Sequence, residues 1–198
     1  KLENGNIVKG ESQIPEEAIK QNSRIEELRI NPENATALKE AIQALKEADA
    51  IVMGPGSLYT SITSNLLVKD IAKGIKKSDA IKIYISNIMT QPGETTGFKA
   101  SDHLKVLLKY GGRDIVDYVI ANTGEITDEL KEKYAQDGAS LVELDREVIN
   151  SLGIKIVGEN LVKIKDALVK HDSAKLAEVL VDTIMEKKLL YDKKKIIE

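Results

Sequence analysis

The chain has 198 residues, 42% hydrophobic and 31% charged with both signs interspersed, which is enough apolar material for one sizeable core and too much for a disordered segment. A net charge of −3, with six tyrosines, one phenylalanine and no tryptophan, gives neither a phosphate-backbone footprint nor a base-stacking platform, so no nucleic-acid partner is expected. The absence of cysteine excludes a disulfide, a thiolate nucleophile and Cys-ligated zinc, two histidines cannot build a His-rich metal site, and no apolar run nears the roughly 18 residues of a membrane span. A cytoplasmic protein without a membrane partner is the expectation, and any metal would need carboxylates.

Leu2-Glu3-Asn4-Gly5-Asn6-Ile7-Val8 reads as a β-hairpin turning at Asn4-Gly5. A hairpin strand opening at Lys1 predicts that the chain is the C-terminal part of a longer polypeptide, a processed or tagged terminus being the alternative. Ser23 to Ile30 alternates imperfectly at Ile25, Leu28 and Ile30 and predicts another strand before Asn31-Pro32, so residues 1–32 are expected to form a β-rich subregion. From Ala35 to Ala48, the residues Leu38, Ala41, Ile42, Leu45 and Ala48 fall at helical spacing behind Asn34 or Thr36 as a cap, which opens an α/β core over 33–190.

Asp49-Ala50-Ile51-Val52-Met53 is a short apolar run ending abruptly in Gly54-Pro55-Gly56-Ser57, the pattern of a buried parallel strand followed by a tight loop. Leu67, Ile71 and Ile75 mark the face of a helix ending near Lys76-Lys77, whose charges suit its negative end. The unit repeats, with Ile81 to Ser86 as strand, Asn87 to Gly97 as loop, Ser101 to Tyr110 as helix stopped by Gly111-Gly112, and Tyr118 to Ala121 as strand. Such alternation predicts βαβ packing with right-handed crossovers, hence an α/β fold on a mostly parallel sheet. Thr127-Asp128-Glu129 opens a helix reaching about Gln136, and a short strand is predicted at Ser140 to Leu144. Residues 145–172 show no clear period; Ser173 then caps a last helix carrying Leu176, Leu180 and Ile184, and the tail Tyr191-Asp192-Lys193-Lys194-Lys195 is expected to be solvated and frayed.

Ligands of open α/β sheets bind beyond the C-terminal strand ends, where loops and helix N-termini offer unpaired N–H groups. Two segments fall there. In Gly54-Pro55-Gly56-Ser57-Leu58-Tyr59-Thr60-Ser61 the glycines allow close backbone approach, and Ser57, Thr60 and Ser61 add hydroxyls suited to a phosphate or a sugar. The spacing is neither that of a P-loop nor that of the G-x-G-x-x-G fingerprint, and the alternative is a purely structural turn. The loop Asn87-Ile88-Met89-Thr90-Gln91-Pro92-Gly93-Glu94-Thr95-Thr96-Gly97 exceeds the usual strand-to-helix length of about 2–6 residues. Its Asn87, Thr90, Gln91, Glu94 and Thr95 suit recognition of a base or sugar better than nucleophilic catalysis, with local backbone capping as the alternative. Asp102-His103 invites an acid/base reading, although both residues fall in the first turn of a predicted helix, where an acceptor caps the backbone. Lys170 can meet a phosphate as a point charge, and Tyr134 offers a ring and a hydroxyl or else packs at a helix end.

The run Gly54 to Ile62 with Asn65-Leu66-Leu67-Val68, the run Asn87 to Thr95, Ala100-Ser101-Asp102-His103, and Gly10-Glu11-Ser12 with Ile14-Pro15 resemble, in order and spacing, the signatures of the CofD-like family in its YvcK branch, the gluconeogenesis or morphogenesis factors. The likeness covers nearly the whole chain. It implies a Rossmann-like bacterial protein that binds UDP-sugars such as UDP-N-acetylglucosamine and regulates cell-wall precursor supply and cell shape. A homodimer and a protein partner in cell-wall precursor synthesis belong to the same expectation, as does a place for Asn65 beside the first loop. The sister CofD branch is a magnesium-dependent transferase that joins a phospholactyl group from a guanosine-diphosphate donor to a deazaflavin. Where that branch shows Gly-Pro-Ser-Asn-Pro this chain has Gly54-Pro55-Gly56-Ser57-Leu58, which favours the regulatory branch.

The family's glycine-rich N-terminal loop and the acidic residues near it have no counterpart here, which implies that part of the site is missing from this sequence. Ser64 stands where proline is usual, and Lys170 where arginine is usual, a point charge replacing a bidentate fork. No cofactor is assigned beyond the UDP-sugar ligand, magnesium entering only with the transferase reading. A non-catalytic dimerisation or scaffold module is the third reading.

Overall fold

Short apolar runs alternating with amphipathic ones fold as a parallel sheet with helical crossovers. In a computed structural model, which describes residues 1–197 with side chains through residue 189, four strands lie in the order β1-β2-β3-β4, all parallel. They are β1 (Ala50–Met53), β2 (Ile81–Ile85), β3 (Tyr118–Asn122) and β4 (Lys155–Glu159). Register places Met53 beside Tyr84, Ile85 beside Ile120 and Asn122 beside Glu159, so the loops after all four strands emerge at one end of the sheet.

The preceding helices are α1 (Gln13–Lys20) and α2 (Lys39–Glu47). Between β1 and β2 run a π-helical turn, Leu58–Thr63, then α3 (Ser64–Leu66) and α4 (Lys69–Lys77). Beyond β2 come α5 (Ala100–Gly111), α6 (Asp128–Gln136), α7 (Arg146–Ser151), the antiparallel ribbon β5 (Val162–Lys165) and β6 (Leu168–His171), and α8 (Ser173–Ile197).

The period-2 alternation of strands divides the core in two. Ile51, Met53, Tyr84, Val119 and Ala121 point to one face and pack with Ile75 of α4, Leu104 and Leu107 of α5 and Ile149 of α7. Ile81, Ile83, Ile85 and Ile120 point to the other, against Leu176 and Val179 of α8 and Leu161. β2 is buried along its whole length, as its continuous apolar reading requires.

Several expectations change. The Asn4-Gly5 turn forms, with the Leu2 N–H donating to Asn6 O at 2.8 Å, but Leu2 makes only an isolated bridge to Ile25 and no strand ladder follows. Residues 13–20 are helical instead, so the stretch 1–32 is not β-rich. The strand predicted at Ser140 to Leu144 is reduced to one bridge, Leu141 to Met89, because the neighbouring backbone pairs with the loop after β2 and not with the sheet. The fourth strand is β4, in the stretch that showed no period: Lys-Ile-Val-Gly-Glu is half-buried with charges at both ends. At the ribbon tip Asp166 and Ala167 both take positive φ, as a two-residue type I′ turn requires. The backbone of α8 runs on through the tail predicted to fray, and the expected solvation of Tyr191 to Lys195 lies outside the described side chains.

Candidate ligand site at the strand ends

The two loops singled out by sequence meet at the C-terminal edge of β1 and β2 and are bonded to each other. Gly54 carries φ +88°, and a Cβ there would come within 3.0 Å of Ile85 O, so the turn needs glycine for conformation and for closeness to β2. Gly56 needs it for neither reason: its φ is ordinary and the nearest atom to an added Cβ, in Ser61, would be 3.6 Å away. Beyond Ser57 the chain enters the π-helical turn, in which Ser57 O accepts from both Ser61 N–H and Ile62 N–H at 3.0 Å. The hydroxyls of Thr60 and Ser61 therefore sit on a wide helical turn and not ahead of it.

The second loop holds that turn in place. The Gln91 side-chain amide donates to Ser57 Oγ at 2.9 Å, and the buried Glu94 carboxylate accepts from Tyr59 N–H at 3.1 Å and from Thr60 Oγ1 at 2.8 Å. A carboxylate at the start of a helical turn satisfies donors that have no intrahelical partner. Thr95, fully buried, accepts from Gln91 N–H at 2.8 Å, and the buried Thr90 accepts from Ser140 N–H at 2.9 Å. Thus Thr90, Glu94 and Thr95, read from the sequence as ligand donors, face inward and build the loop.

What remains open to solvent is narrower. Asn87, half-buried at the end of β2, has no side-chain partner among the described residues. Ser61 is exposed, its hydroxyl 3.5 Å from Glu11, and Asn65 is exposed but returns its amide to Ser61 O at 2.7 Å. The ribbon stands beside Asn87, since His171 Nε2 lies 3.2 Å from Ser86 O, and Lys170 is the exposed residue before it, opposite Lys163 in the ladder. Tyr134 is half-buried and accepts Val169 N–H at 2.8 Å, so its hydroxyl ties α6 to the ribbon. A cleft of about 420 Å³ opens behind the second loop toward α1, lined by Gly93 and Glu94 but not by Asn87, Ser57 or Lys170.

Sequence reasoning passed over Asn122, the last residue of β3. Its side-chain oxygen accepts from Gly124 N–H at 2.9 Å and Leu161 N–H at 3.0 Å while its amide donates to Gly124 O, so it fixes the third strand-end loop. An asparagine closing a strand two residues before a glycine was the available signal. Arg146 was also missed; its guanidinium lies over Gly158 near the end of β4, where a side chain would displace it.

Neither histidine is placed as a base. Asp102 accepts the Lys99 N–H at 3.0 Å at the start of α5 and pairs with Lys105. The fully buried His103 lies with Nδ1 3.0 Å from Lys99 O, and its Nε2 meets no partner among the described residues. Burial holds both His103 and His171 below the ordinary imidazole value of 6.5. The unfolded chain therefore binds protons that the folded one refuses, so stability is full above pH 6.5 and declines as pH falls below it. Unfolding titrations between pH 8 and pH 5 should show a loss of up to ~1.4 kcal/mol per pH unit per histidine, with His103→Leu removing its share. Among the described residues no three acidic or histidine side chains converge as a metal site.

Residues 1–162 match the family profile described as 2-phospho-L-lactate transferase CofD. A Clostridium acetobutylicum protein provisionally named gluconeogenesis factor is 53% identical over all of this chain and 44% of its own length. The Bacillus subtilis gluconeogenesis factor is 41% identical over 93% of this chain and 57% of its own. A crystal structure of a Bacillus halodurans protein of the UPF0052 family superposes with TM-score 0.84 at 41% identity, covering 89% of this chain and 56% of that one. The chain spans about half the length of the curated relatives it matches. No helix among the described residues is long and apolar enough to cross a membrane.

Proposed function

We propose that this chain, which belongs to the CofD family, forms the base-and-sugar side of a nucleotide-sugar site in a regulatory, non-catalytic member. The gluconeogenesis-factor names of its relatives support the regulatory reading. The observation that carries the ligand reading is the strand-end crown: two loops locked by Gln91 and Glu94 leave Asn87 free between the Gly54–Ser57 turn and the ribbon bearing Lys170. A neutral amide beside close-approach backbone suits a base or a sugar, and a lysine beyond it suits a phosphate. UDP-N-acetylglucosamine is the ligand named by this reading; control of cell-wall precursor supply and cell shape in the cytoplasm, through a protein partner and as a homodimer, would follow from it.

Calorimetry with UDP-N-acetylglucosamine on the full-length Bacillus subtilis relative tests the proposal. Replacing the residues aligned with Asn87 or Lys170 by alanine should weaken binding at least about tenfold each, as loss of a hydrogen bond or a charge contact to the ligand would. Undiminished affinity in both folded variants would move the ligand away from this crown. The transferase reading rests on the description of the matched family, and turnover of a nucleotide-activated phospholactyl donor onto a deazaflavin by the full-length protein would replace regulation with catalysis.

A further inference from the structure

The sheet has a second end, and its chemistry differs from that of the crown. Where β3 and β4 begin, Asp117 ties three strands: its carboxylate accepts the Lys82 N–H at 2.8 Å, its own N–H donates to Lys82 O at 2.8 Å, and its carbonyl accepts the Lys155 N–H at 3.0 Å. Beside them opens a cavity of about 530 Å³, larger than the cleft behind the second loop and within the range of small-molecule sites, about 300–1,000 Å³. Part of its wall is apolar, formed by Leu108 of α5 and by Leu152 and Ile154, which flank the Gly153 turn into β4.

Three cations reach this cavity from three separate elements. Arg113 stands on the short 3₁₀ turn after α5 (Arg113–Ile115), Lys155 opens β4, and Lys187 comes from α8. None of them has a carboxylate partner among the described residues. Lys155 is held in place, its Nζ donating to the Tyr118 hydroxyl at 3.2 Å and lying 5.2 Å from the ring centroid. Two carboxylates share the lining: Asp117, engaged by the Lys82 N–H, and the exposed Asp114. Three cations less two carboxylates leave the cavity one positive charge in a molecule of net charge −3. A lysine on an edge strand discourages further pairing, which accounts for Lys155 but not for Arg113 and Lys187, since neither lies on the sheet. Like charges gathered without counter-ions repel, and an anion bound among them removes the repulsion.

We infer that this cavity is a second ligand site, apart from the crown, which takes a small phosphomonoester: its doubly charged head lies among Arg113, Lys155 and Lys187, and a short apolar body rests against Leu108 and Leu152. Arginine offers a planar fork to two phosphate oxygens and the lysines add point charges, a set matched to a dianion better than to a carboxylate. β3 spans roughly 13 Å from Tyr118 to Asn122 at about 3.3 Å per residue, so one small ligand cannot occupy both ends of the sheet. The cavity therefore stands as an effector site whether or not a nucleotide sugar binds at the crown.

Phenyl phosphate, inorganic phosphate and benzoate serve as probes in calorimetry and amide NMR on this protein. Phenyl phosphate should bind saturably and shift the amides of residues 112–118 and 151–155, with those of Gly54, Gly56, Ser57 and Asn87 unmoved. Arg113→Ala and Lys187→Ala should each weaken it at least about tenfold, as loss of a charged contact does, while Lys20→Ala on α1, outside the cavity, should change affinity less than about twofold. Arg113 is exposed and Lys187 half-buried, so both variants should melt with the parent. Inorganic phosphate should bind more weakly for want of the apolar body, and benzoate for want of the second charge. Affinity for phenyl phosphate should fall as pH drops through about 6, where the phosphoryl group takes up its second proton. No saturable binding up to about 10 mM, affinity unmoved by either alanine, benzoate bound as tightly as phenyl phosphate, or shifts centred on Asn87 would each overturn the assignment, the last placing the phosphate at the crown.

Discussion

Alanine at Gly93 is expected to lower stability by about 3 kcal/mol, a melting shift of roughly 6–12 °C for a domain of this size. Gly93 holds φ +79°, which an L side chain enters only at a cost, and an added Cβ would strike the Pro15 backbone, coming within 2.8 Å of its carbonyl carbon and Cα as well as against its oxygen. Both terms act together, and neither can be relieved by rotating a side chain. The loop after β2 would have to part from the segment that opens α1, which predicts lost protection of α1 amides alongside the lower melting point. Thermal unfolding with hydrogen exchange over residues 13–20 reads both; a drop below about 1 kcal/mol would mean that the close approach to Pro15 is easily relaxed.

Glu94→Ala is expected to cost about 2–3 kcal/mol, because a buried carboxylate accepting two hydrogen bonds leaves the Tyr59 N–H and the Thr60 hydroxyl without partners. Glu94→Gln should recover about half of that, since its carbonyl oxygen still accepts one of the two donors while its amide faces the other. Denaturant melts of the two variants make the comparison. Equal losses would assign the effect to charge, and no loss in either would remove Glu94 from the support of the π-helical turn.

The sequence was readable where burial is symmetrical. β2 and β3 are apolar through their cores because both faces are covered, β1 is marked by its uninterrupted apolar run although Val52 stays exposed, and α5 and α6 show their starts in Asp102 and in Thr127, whose hydroxyl accepts the Leu130 N–H at 3.4 Å. β4 escaped notice because Lys155 and Glu159 frame only three half-buried residues, too few to set a period. α1 was hidden by the turn and apolar run before it: Ala18 is its one buried residue, so almost no core stripe is written in its sequence. The candidate site was legible as two loops but not in its division of labour. Thr90, Glu94 and Thr95 have the chemistry of ligand donors, and only their partners, Ser140, Tyr59 with Thr60, and Gln91, show that they hold loops together. Asn87 and Lys170 keep the open positions, and Asn122 works at a third strand end that pattern alone did not mark.

The π-helical turn carries a lesson in insertion and deletion. A single π turn is an α-helix that has taken in one extra residue, and here the excess lies between Ser57, whose carbonyl accepts Ile62 N–H, and Ser64, whose N–H reaches Tyr59 O. Deleting one residue of Leu58–Thr63 would let the backbone close to ordinary pitch and remove the widened turn that sets Tyr59 N–H and Thr60 Oγ1 against Glu94. A chain lacking that residue would keep its helices and lose the mouth between its two loops, so the length of this six-residue stretch counts for more than the identity of its exposed members.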